Sequence, residues 1–405
     1  MLASLVVPAR AAASPEDLFG YGARTSAMGA TGATHGTGAE SAYHNPALGS
    51  LTRRNAVTLG LGGAAFALTP RTDAPAAKGV LAGAAIPIPF GGFLRDRVGV
   101  SAALYMPRDL LVRARVLYPE TPQFPLLTDR AQSVTLRAGF GVDVGWGVRA
   151  GLGVATLAAL SGSVVATAEG SSVENQLVTT YAPTIGATWE HGAGRDALGR
   201  PSVYRVGVVF RGELDARFAV TVDGSKLTTL PIPVFDIAGL AQYDPAQIVV
   251  EVARTDARST FALQGVYKRW RDFPGLVEPT LVCSPGVTTC GLAPPEIAWR
   301  DTFVVRAGAE HGIDLAPGVV LRARAGGWVE TSALPGSLPE SRAFDPATKT
   351  VVAVPTRYFD GTRLVVTGGF GLGLRHVDLD TFVQRHWVLD HGRITAFGLT
   401  GTVRF

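Results

Sequence analysis

Apolar and polar residues alternate with a period of two along most of the chain from residue 55 to its end. In segment 133–142, for example, Leu136 and Phe140 fall on one side of an extended chain, while Arg137 falls on the other. Such alternation is typical of a β-strand with one apolar and one polar face. The alternating runs are longer than the roughly 5–6 residues usual in soluble sheets, and about 9–11 tilted residues cross a bilayer. The pattern therefore predicts membrane-spanning strands.

Glycine, proline, aspartate and asparagine divide this region into roughly fourteen strands, an even number within the range of bacterial barrels. Long connections near 106–130, 159–177, 213–245, 271–300 and 330–362 alternate with short ones, as expected for the outer and periplasmic ends of a barrel. We predict an all-β fold, a transmembrane antiparallel β-barrel of about 14 strands over residues 55–405. The predicted strands are 55–68, 79–90, 97–106, 131–142, 146–158, 178–190, 203–213, 246–254, 259–270, 301–312, 317–329, 363–375, 377–389 and 393–405.

The last strand carries Phe397, Leu399, Val403 and the terminal Phe405 on one face. An aromatic final residue on the lipid face is typical of outer-membrane barrels. We therefore expect the chain to lie in the outer membrane of a Gram-negative bacterium, among lipopolysaccharide and other outer-membrane lipids. We also expect the barrel-assembly machinery to recognise Phe405.

Composition supports this class over two others. Hydrophobic residues make up 47% of the chain, yet charged residues reach 17% and are spread along its length, unlike the apolar blocks of a helical membrane protein. The first half of the uncharged window 150–168 continues the alternating pattern, so the window is not expected to be a transmembrane helix. The net charge of +4 comes from single arginines rather than from basic runs, so no nucleic-acid partner is predicted.

Two local features point to export. Residues 1–13 resemble the end of a secretory signal peptide, with a short apolar stretch before alanines at A-x-A spacing. Cys283 and Cys290 lie in a loop rich in proline, glycine and threonine. No histidine or further cysteine lies near enough to complete a metal site, so we predict a disulfide and no metal or other cofactor.

The segment before the barrel is rich in glycine, alanine and threonine and ends in the motif Asn45-Pro46-Ala47. It resembles the N-terminal hatch of the FadL/TodX-type family of long-chain fatty-acid and hydrophobic-compound transporters. Further similarities follow in the family's order, in segments 203–218, 244–247, 267–270, 299–302, 306–310, 322–329, 357–360 and 368–371. Phe210-Arg211-Gly212 replaces the usual Tyr-Arg-Ser, and His311 replaces the usual tyrosine. The resemblance implies a hatch over residues 14–54 that plugs the barrel.

The resemblance also implies passive transport of hydrophobic compounds such as long-chain fatty acids. Two alternatives remain open: a structural or secretion-associated barrel without a ligand, and a general diffusion porin. Neither a metal-binding histidine pair nor a nucleophile motif is present, so no catalytic residues are predicted and the chain is not expected to be an enzyme. The sequence does not identify the transported compound.

Arginines on the polar strand faces would point into the barrel, where a guanidinium can bind a carboxylate in bidentate fashion. Pairing with acidic side chains, as structural struts, is the favoured interpretation of any one of them. The candidates for ligand contact are Arg205, Arg211, Arg306, Arg322 and Arg324.

Prolines interrupt the second predicted strand, and a proline cannot donate to a strand ladder. One hypothesis is a gap in the barrel wall that lets a hydrophobic ligand leave sideways. The alternative is that the strand simply ends before a turn. The residues concerned are Pro87, Pro89, Gly91 and Gly92.

Overall fold

The computed structural model describes residues 15–72, 76–108, 122–127, 134–167, 170–195, 201–226, 235–275, 277–281, 296–345, 348 and 350–405. The predicted signal-peptide remnant, 1–13, lies outside the described residues. Cys283 and Cys290 lie outside them as well. The signal peptide and the disulfide therefore stay predictions.

The chain forms nineteen strands within the described residues, and fourteen of them make one closed antiparallel ring. The other five, β8, β9, β12, β15 and β16, lie in long connections. The strands are β1 (Ala56–Leu68), β2 (Ala77–Pro87), β3 (Val98–Pro107), β4 (Thr135–Gly145), β5 (Val148–Thr167), β6 (Gly170–Arg195), β7 (Pro201–Arg211), β8 (Leu214–Lys226), β9 (Phe235–Asp244), β10 (Gln247–Thr255), β11 (Ser259–Lys268), β12 (Val277–Leu281), β13 (Thr302–Ala316), β14 (Val319–Glu330), β15 (Glu340–Asp345), β16 (Thr350–Pro355), β17 (Arg363–Gly373), β18 (Val377–Val388) and β19 (Gly392–Arg404).

The ring closes between the first and last strands. β1 pairs with β19 along its whole length, from Ala56 opposite Arg404 to Leu68 opposite Gly392. Each of the fourteen ring strands pairs with its two neighbours. Each also coincides with one predicted strand. The predicted fourteen-stranded antiparallel barrel is therefore confirmed.

The outward face of the ring is apolar, as the alternation predicts. Leu61 is 62% exposed, Phe397 58% and Phe405 67%. Their neighbours along the strands turn inward and are buried or half-buried, including the polar Thr400. A continuous apolar band of this kind is the surface that lipid covers in a transmembrane barrel.

One predicted connection is wrong. Residues 159–177 were expected to form a long loop, but β5 and β6 continue through them and pair from Val148–Trp189 to Thr167–Gly170. One reason is that Val164, Val165, Thr167 and Val173 favour extended backbone. A hairpin that rises beyond the membrane no longer needs an apolar face, so the lipid-type alternation is lost there.

Three further long connections contain extra strands. β8 and β12 each pair antiparallel with β9, and β8 also runs parallel to the upper part of β5. β15 and β16 form a separate hairpin between β14 and β17. A short 3-10 helix, Trp270–Asp272, opens the connection after β11.

The opposite end of the barrel has short turns, as predicted, including a 3-10 helix at Gly92–Leu94 between β2 and β3. The start of β1 and the end of β19 lie side by side here. The Phe405 amide donates a hydrogen bond to the Asn55 carbonyl at 3.0 Å. The N-terminal segment therefore joins the barrel at the short-turn end. Within the described residues, no helix has the length and apolar character required to cross a membrane.

Residues 15–51 form a series of short helices that contact the inward faces of strands around the ring. They pack against β14, β17 and β18 on one side and against β2 to β6 on the other. Their backbone lies so close to the wall that a Cβ atom at Gly308 would collide with the Met28 carbonyl, and one at Gly186 with the Asn45 side chain. Glycines on the inward face therefore make room for this segment. The helices are α1 (Pro15–Phe19), α2 (Ala23–Ala27), a 3-10 helix (Gly38–Glu40), α3 (Ser41–His44) and a 3-10 helix (Pro46–Leu51).

Candidate functional site

A buried carboxylate on β10 holds the middle of the N-terminal segment. Glu251 accepts hydrogen bonds from the amides of Gly32, Ala33 and Thr34 at 2.8, 3.0 and 2.9 Å. The Gln264 side chain donates to the same carboxylate at 2.6 Å. Hydrogen bonds to an ionised acceptor are stronger than neutral ones, and those amides have no helical partner. Glu251 therefore fixes residues 32–34 to the wall.

A second anchor is a buried ion-pair cluster. The Lys268 ammonium group donates to Asp17 of α1 and to Glu330 of β14, both at 2.7 Å. Arg363 of β17 also donates to Glu330. Because Lys268 is fully buried, its charge requires these partners, and through Asp17 it ties α1 to the barrel wall.

A third anchor involves the predicted ligand candidate Arg324. Its guanidinium donates to Glu310 at 2.6 Å and to Asp380 at 2.7 Å. Arg24 of α2 binds the same Glu310 in bidentate fashion, at 3.0 and 2.9 Å. This is the strut arrangement that the sequence favours for such arginines, extended to the N-terminal segment.

The other four candidate arginines also bind protein groups. Arg211 donates to the Tyr43 carbonyl at 3.0 Å, and Arg306 donates to the Ala30 carbonyl at 3.0 Å. Nearer the short-turn end, Arg205 donates to Glu190 at 2.6 Å and Arg322 to Asp378 at 3.1 Å. The structure thus does not bring the five arginines together into one cluster, and contact of any of them with a ligand stays a prediction.

The Asn45-Pro46-Ala47 motif joins two parts of the N-terminal segment to the wall. The Asn45 side chain accepts from the Ala47 amide at 3.0 Å and so caps the following 3-10 helix, with Pro46 at its first position. Its amide nitrogen donates to the carbonyls of Ala33 at 2.8 Å and of Ala187 on β6 at 3.2 Å. A side chain with both donors and an acceptor is required here, which explains the asparagine.

On the other side of the interior, a cavity lies between α1 and the wall formed by β19, β1 and β2. It encloses about 470 Å³ of space not occupied by atoms, a volume that includes its open mouth. The free space between the side chains is narrow. Most of its lining is apolar, contributed by Pro15, Phe19, Leu61, Ala64, Leu81, Phe382 and Ala396.

Two polar atoms at this cavity lack a hydrogen-bond partner among the described residues. They are Glu16 Oε2 and Ser26 Oγ, and both residues line the cavity and are buried. The other Glu16 oxygen accepts from the Thr135 hydroxyl. Burial raises the pKa of the Glu16 carboxyl, and the nearby Arg137 opposes this rise.

An apolar cluster continues from the cavity toward the long-connection end. Phe19 of α1 packs in the same cluster as Leu68 of β1, Phe124 and Val388. Phe359 joins it, with its ring centroid 5.9 Å from that of Phe124. The cavity and this cluster form one continuous apolar side of the interior.

The predicted wall opening lies at the end of β2. The β2–β3 ladder runs without interruption from Gly79 to Pro87, and the Ile88 amide still donates to the Val98 carbonyl at 2.9 Å. Pro89, Gly91 and Gly92 follow in the turn. The strand pairing gives no support to an opening at these four residues, and an opening there stays a prediction.

Sequence reasoning missed the residues that distinguish the two sides of the interior. Glu251 and Lys268 are isolated charges on the polar faces of β10 and β11, which could have been noted as buried groups in need of partners. Glu16 lies in a non-repeating segment, where no periodicity indicates which way a side chain points.

No family model matches this sequence, and no curated protein matches it either. Solved structures do match in fold. A Pseudomonas aeruginosa FadL homologue is 13% identical, with 95% of this chain and 98% of that chain covered and a TM-score of 0.58.

Two toluene transporters match in the same way. Ralstonia pickettii TbuX is 12% identical, over 96% of this chain and 99% of that chain, with a TM-score of 0.55. Pseudomonas putida TodX is 14% identical, over 98% and 99%, with a TM-score of 0.51. Over nearly its whole length, the chain has the fold of the FadL/TodX-type channels.

Proposed function

We propose that this chain is an outer-membrane channel through which hydrophobic compounds pass without an energy source. The observation that carries the proposal is the apolar cavity between α1 and the strands β19, β1 and β2. A hydrophobic solute crossing the lipopolysaccharide layer needs a route with apolar walls and few polar groups. The cavity and the cluster around Phe19 and Phe124 supply such a route along one side of the barrel.

We further propose that residues 14–54 act as the hatch. The contacts of residues 15–51 with strands on all sides of the ring support this role, because a segment so held obstructs the interior that a general porin keeps open. The fold shared with two toluene transporters supports a transport function over a purely structural one.

For the exit of the compound, we propose the wall beside the cavity rather than the end of β2. The cavity lining includes Leu61, which faces lipid, together with Gly62 and Gly63 of the same strand. A wall of glycine and alanine is thin, so only a small movement of β1 would connect the cavity to the membrane. The exposed Phe405 supports recognition by the barrel-assembly machinery and contact with lipid.

The test is uptake in a Gram-negative host from which its own channel for hydrophobic compounds has been deleted. The wild-type chain should raise the uptake of labelled toluene above the empty host. Ala64→Phe, which fills the cavity from the inward face, should reduce uptake several-fold. Ala65→Phe is the matched control. Ala65 is exposed on the lipid-facing side of β1, so this variant should retain uptake.

Equal uptake with and without the wild-type chain would refute transport. Equal loss in both phenylalanine variants, at unchanged amounts of folded barrel, would show that the cavity is not the route.

A further inference from the structure

The polar groups of the apolar cavity restrict what it can bind. Glu16 Oε2 and Ser26 Oγ are buried there without a partner among the described residues. A buried polar atom left unpaired costs about 1–3 kcal/mol. A ligand that pairs with these atoms recovers that free energy on binding, whereas a pure hydrocarbon does not.

Resting on the proposed function, we propose that the cavity selects small hydrophobic molecules that carry a hydroxyl group, such as phenols and alcohols, over hydrocarbons and over carboxylates.

A hydroxyl group matches both orphan atoms. It donates one hydrogen bond and accepts others, so it can donate to the ionised Glu16 carboxylate and accept from the Ser26 hydroxyl. If Glu16 is protonated, a hydroxyl ligand can accept from it instead. The match therefore holds in either protonation state of Glu16.

A ligand carboxylate meets the opposite environment. Among the residues that the structure describes, those that line the cavity include Glu16 and no lysine, arginine or histidine. Arg137, whose charge acts on Glu16, is not among them and pairs with Asp244 at 3.5 Å. An anionic head group would therefore lose its hydration without gaining a cation.

The size of the cavity favours small ligands. Its free space is narrow, so that a one-ring molecule is expected to enter only with a shift of the α1 side chains. One-ring compounds that differ in a single substituent are therefore the sharpest test of selectivity.

The experiment measures binding of toluene, p-cresol and p-toluate to the purified full-length chain in detergent micelles, by calorimetry at pH 7.5. Each of the three compounds has one ring and one methyl group. Toluene has no further substituent, p-cresol carries a hydroxyl group and p-toluate carries a carboxylate. We expect p-cresol to bind about tenfold more tightly than toluene, as one hydrogen bond to a charged group implies. We expect p-toluate to bind more weakly than either.

Two substitutions test whether Glu16 is responsible. Glu16→Met removes both oxygens at similar length and should abolish the advantage of p-cresol while toluene still binds, which also reports a folded cavity. Glu16→Gln keeps a hydrogen-bonding group opposite Thr135 but no charge, and should reduce the penalty on p-toluate. Glu40→Gln is the control: Glu40 Oε2 also lacks a partner among the described residues, but Glu40 does not line the cavity.

The outcomes separate the two proposals. If none of the three compounds binds saturably, the transport proposal fails and this one with it. If all bind but p-cresol has no advantage, or if p-toluate binds best, only the selectivity proposal fails. It also fails if neither Glu16 variant changes the order of affinities. If Glu16→Met fails to bind toluene, the affinity of Glu16→Gln for p-toluate decides the selectivity proposal. An affinity no higher than that of the wild type would refute it.

Discussion

Glu251 and Glu16 are both buried carboxyl groups within the barrel, but their surroundings differ. Glu251 accepts hydrogen bonds from three successive amides and from Gln264. Glu16 accepts one hydrogen bond from Thr135, and its second oxygen has no partner among the described residues. The first environment is complete, and a ligand could enter it only by breaking existing bonds. The second has unused capacity beside an apolar cavity.

This difference separates anchoring from binding. On the charged side, around β10 to β14, wall residues bind backbone and side chains of the N-terminal segment and fix its position. On the apolar side, around β19, β1 and β2, the segment leaves a cavity beside the wall. Ligand selectivity should therefore depend on the apolar side, and retention of the N-terminal segment on the charged side.

The largest effect is expected from Glu251→Ala. Loss of the carboxylate leaves three buried amides unpaired, which should lower the free energy of unfolding by about 5 kcal/mol. The N-terminal segment should detach while the ring persists, so that trypsin cleaves after Arg24 in the folded barrel. In Glu251→Gln, which keeps one acceptor oxygen, the bond after Arg24 should be partly protected from trypsin. Unchanged protection at Arg24 in Glu251→Ala would contradict this anchoring role.

A smaller loss, about 3 kcal/mol, is expected from Lys268→Met, because Asp17 loses its closest cation in a buried site. Glu330 retains Arg363. Adding Asp17→Asn should recover part of this loss, since the uncompensated charge is then removed. Urea unfolding in detergent micelles measures both variants. Strictly additive losses would show that Lys268 and Asp17 are not coupled.

Removing one hydroxyl group on each side compares the charged side with the apolar side directly. The Thr34 hydroxyl donates to Glu251, so Thr34→Val should cost about 1.5 kcal/mol. The Ser26 hydroxyl has no partner among the described residues, so Ser26→Ala removes an unpaired buried group and should raise stability by about 1 kcal/mol. Both are measured by the same urea unfolding. A loss of stability in Ser26→Ala would mean that the Ser26 hydroxyl is hydrogen-bonded in the native state.

A fourth effect concerns pH. Burial raises the pKa of Glu40, which lies in the N-terminal segment rather than in a membrane-spanning strand, from 4.5 to about 7. The native state then binds a proton that the unfolded state releases, so stability falls as pH rises from about 4.5 to 7. Glu40→Gln should therefore be more stable than the wild type at pH 8, with the difference vanishing near pH 4. A pH-independent difference would contradict this explanation.

The ring strands were predictable because lipid imposes a period of two on every residue that faces it. Leu61 and Phe397 are exposed for this reason, and the same pattern places the polar Thr400 inward. Where lipid ends, the signal ends, so the sequence predicts a loop in place of the upper part of the β5–β6 hairpin. The end of β2 is ambiguous for another reason: prolines mark strand ends and wall gaps alike.

The interior could be predicted only in part. The sequence indicates that arginines point inward, but it cannot tell that Arg211 and Arg306 would bind carbonyl groups of residues more than a hundred positions away. Those partners depend on the path of a segment that has no repeating pattern. The cavity is harder still, because it results from how Phe19 and Glu16 of one short helix meet three strands.

The closing ladder between β1 and β19 has a consequence for assembly. Its partners come from opposite ends of the barrel sequence, so closure requires the largest loss of chain entropy of any strand pair and should form late. Since residues 15–51 are attached directly to β1, the final step of folding joins the last-made strand to the one that carries the interior segment. Closing the barrel wall and placing residues 15–51 inside it are therefore completed in the same folding step.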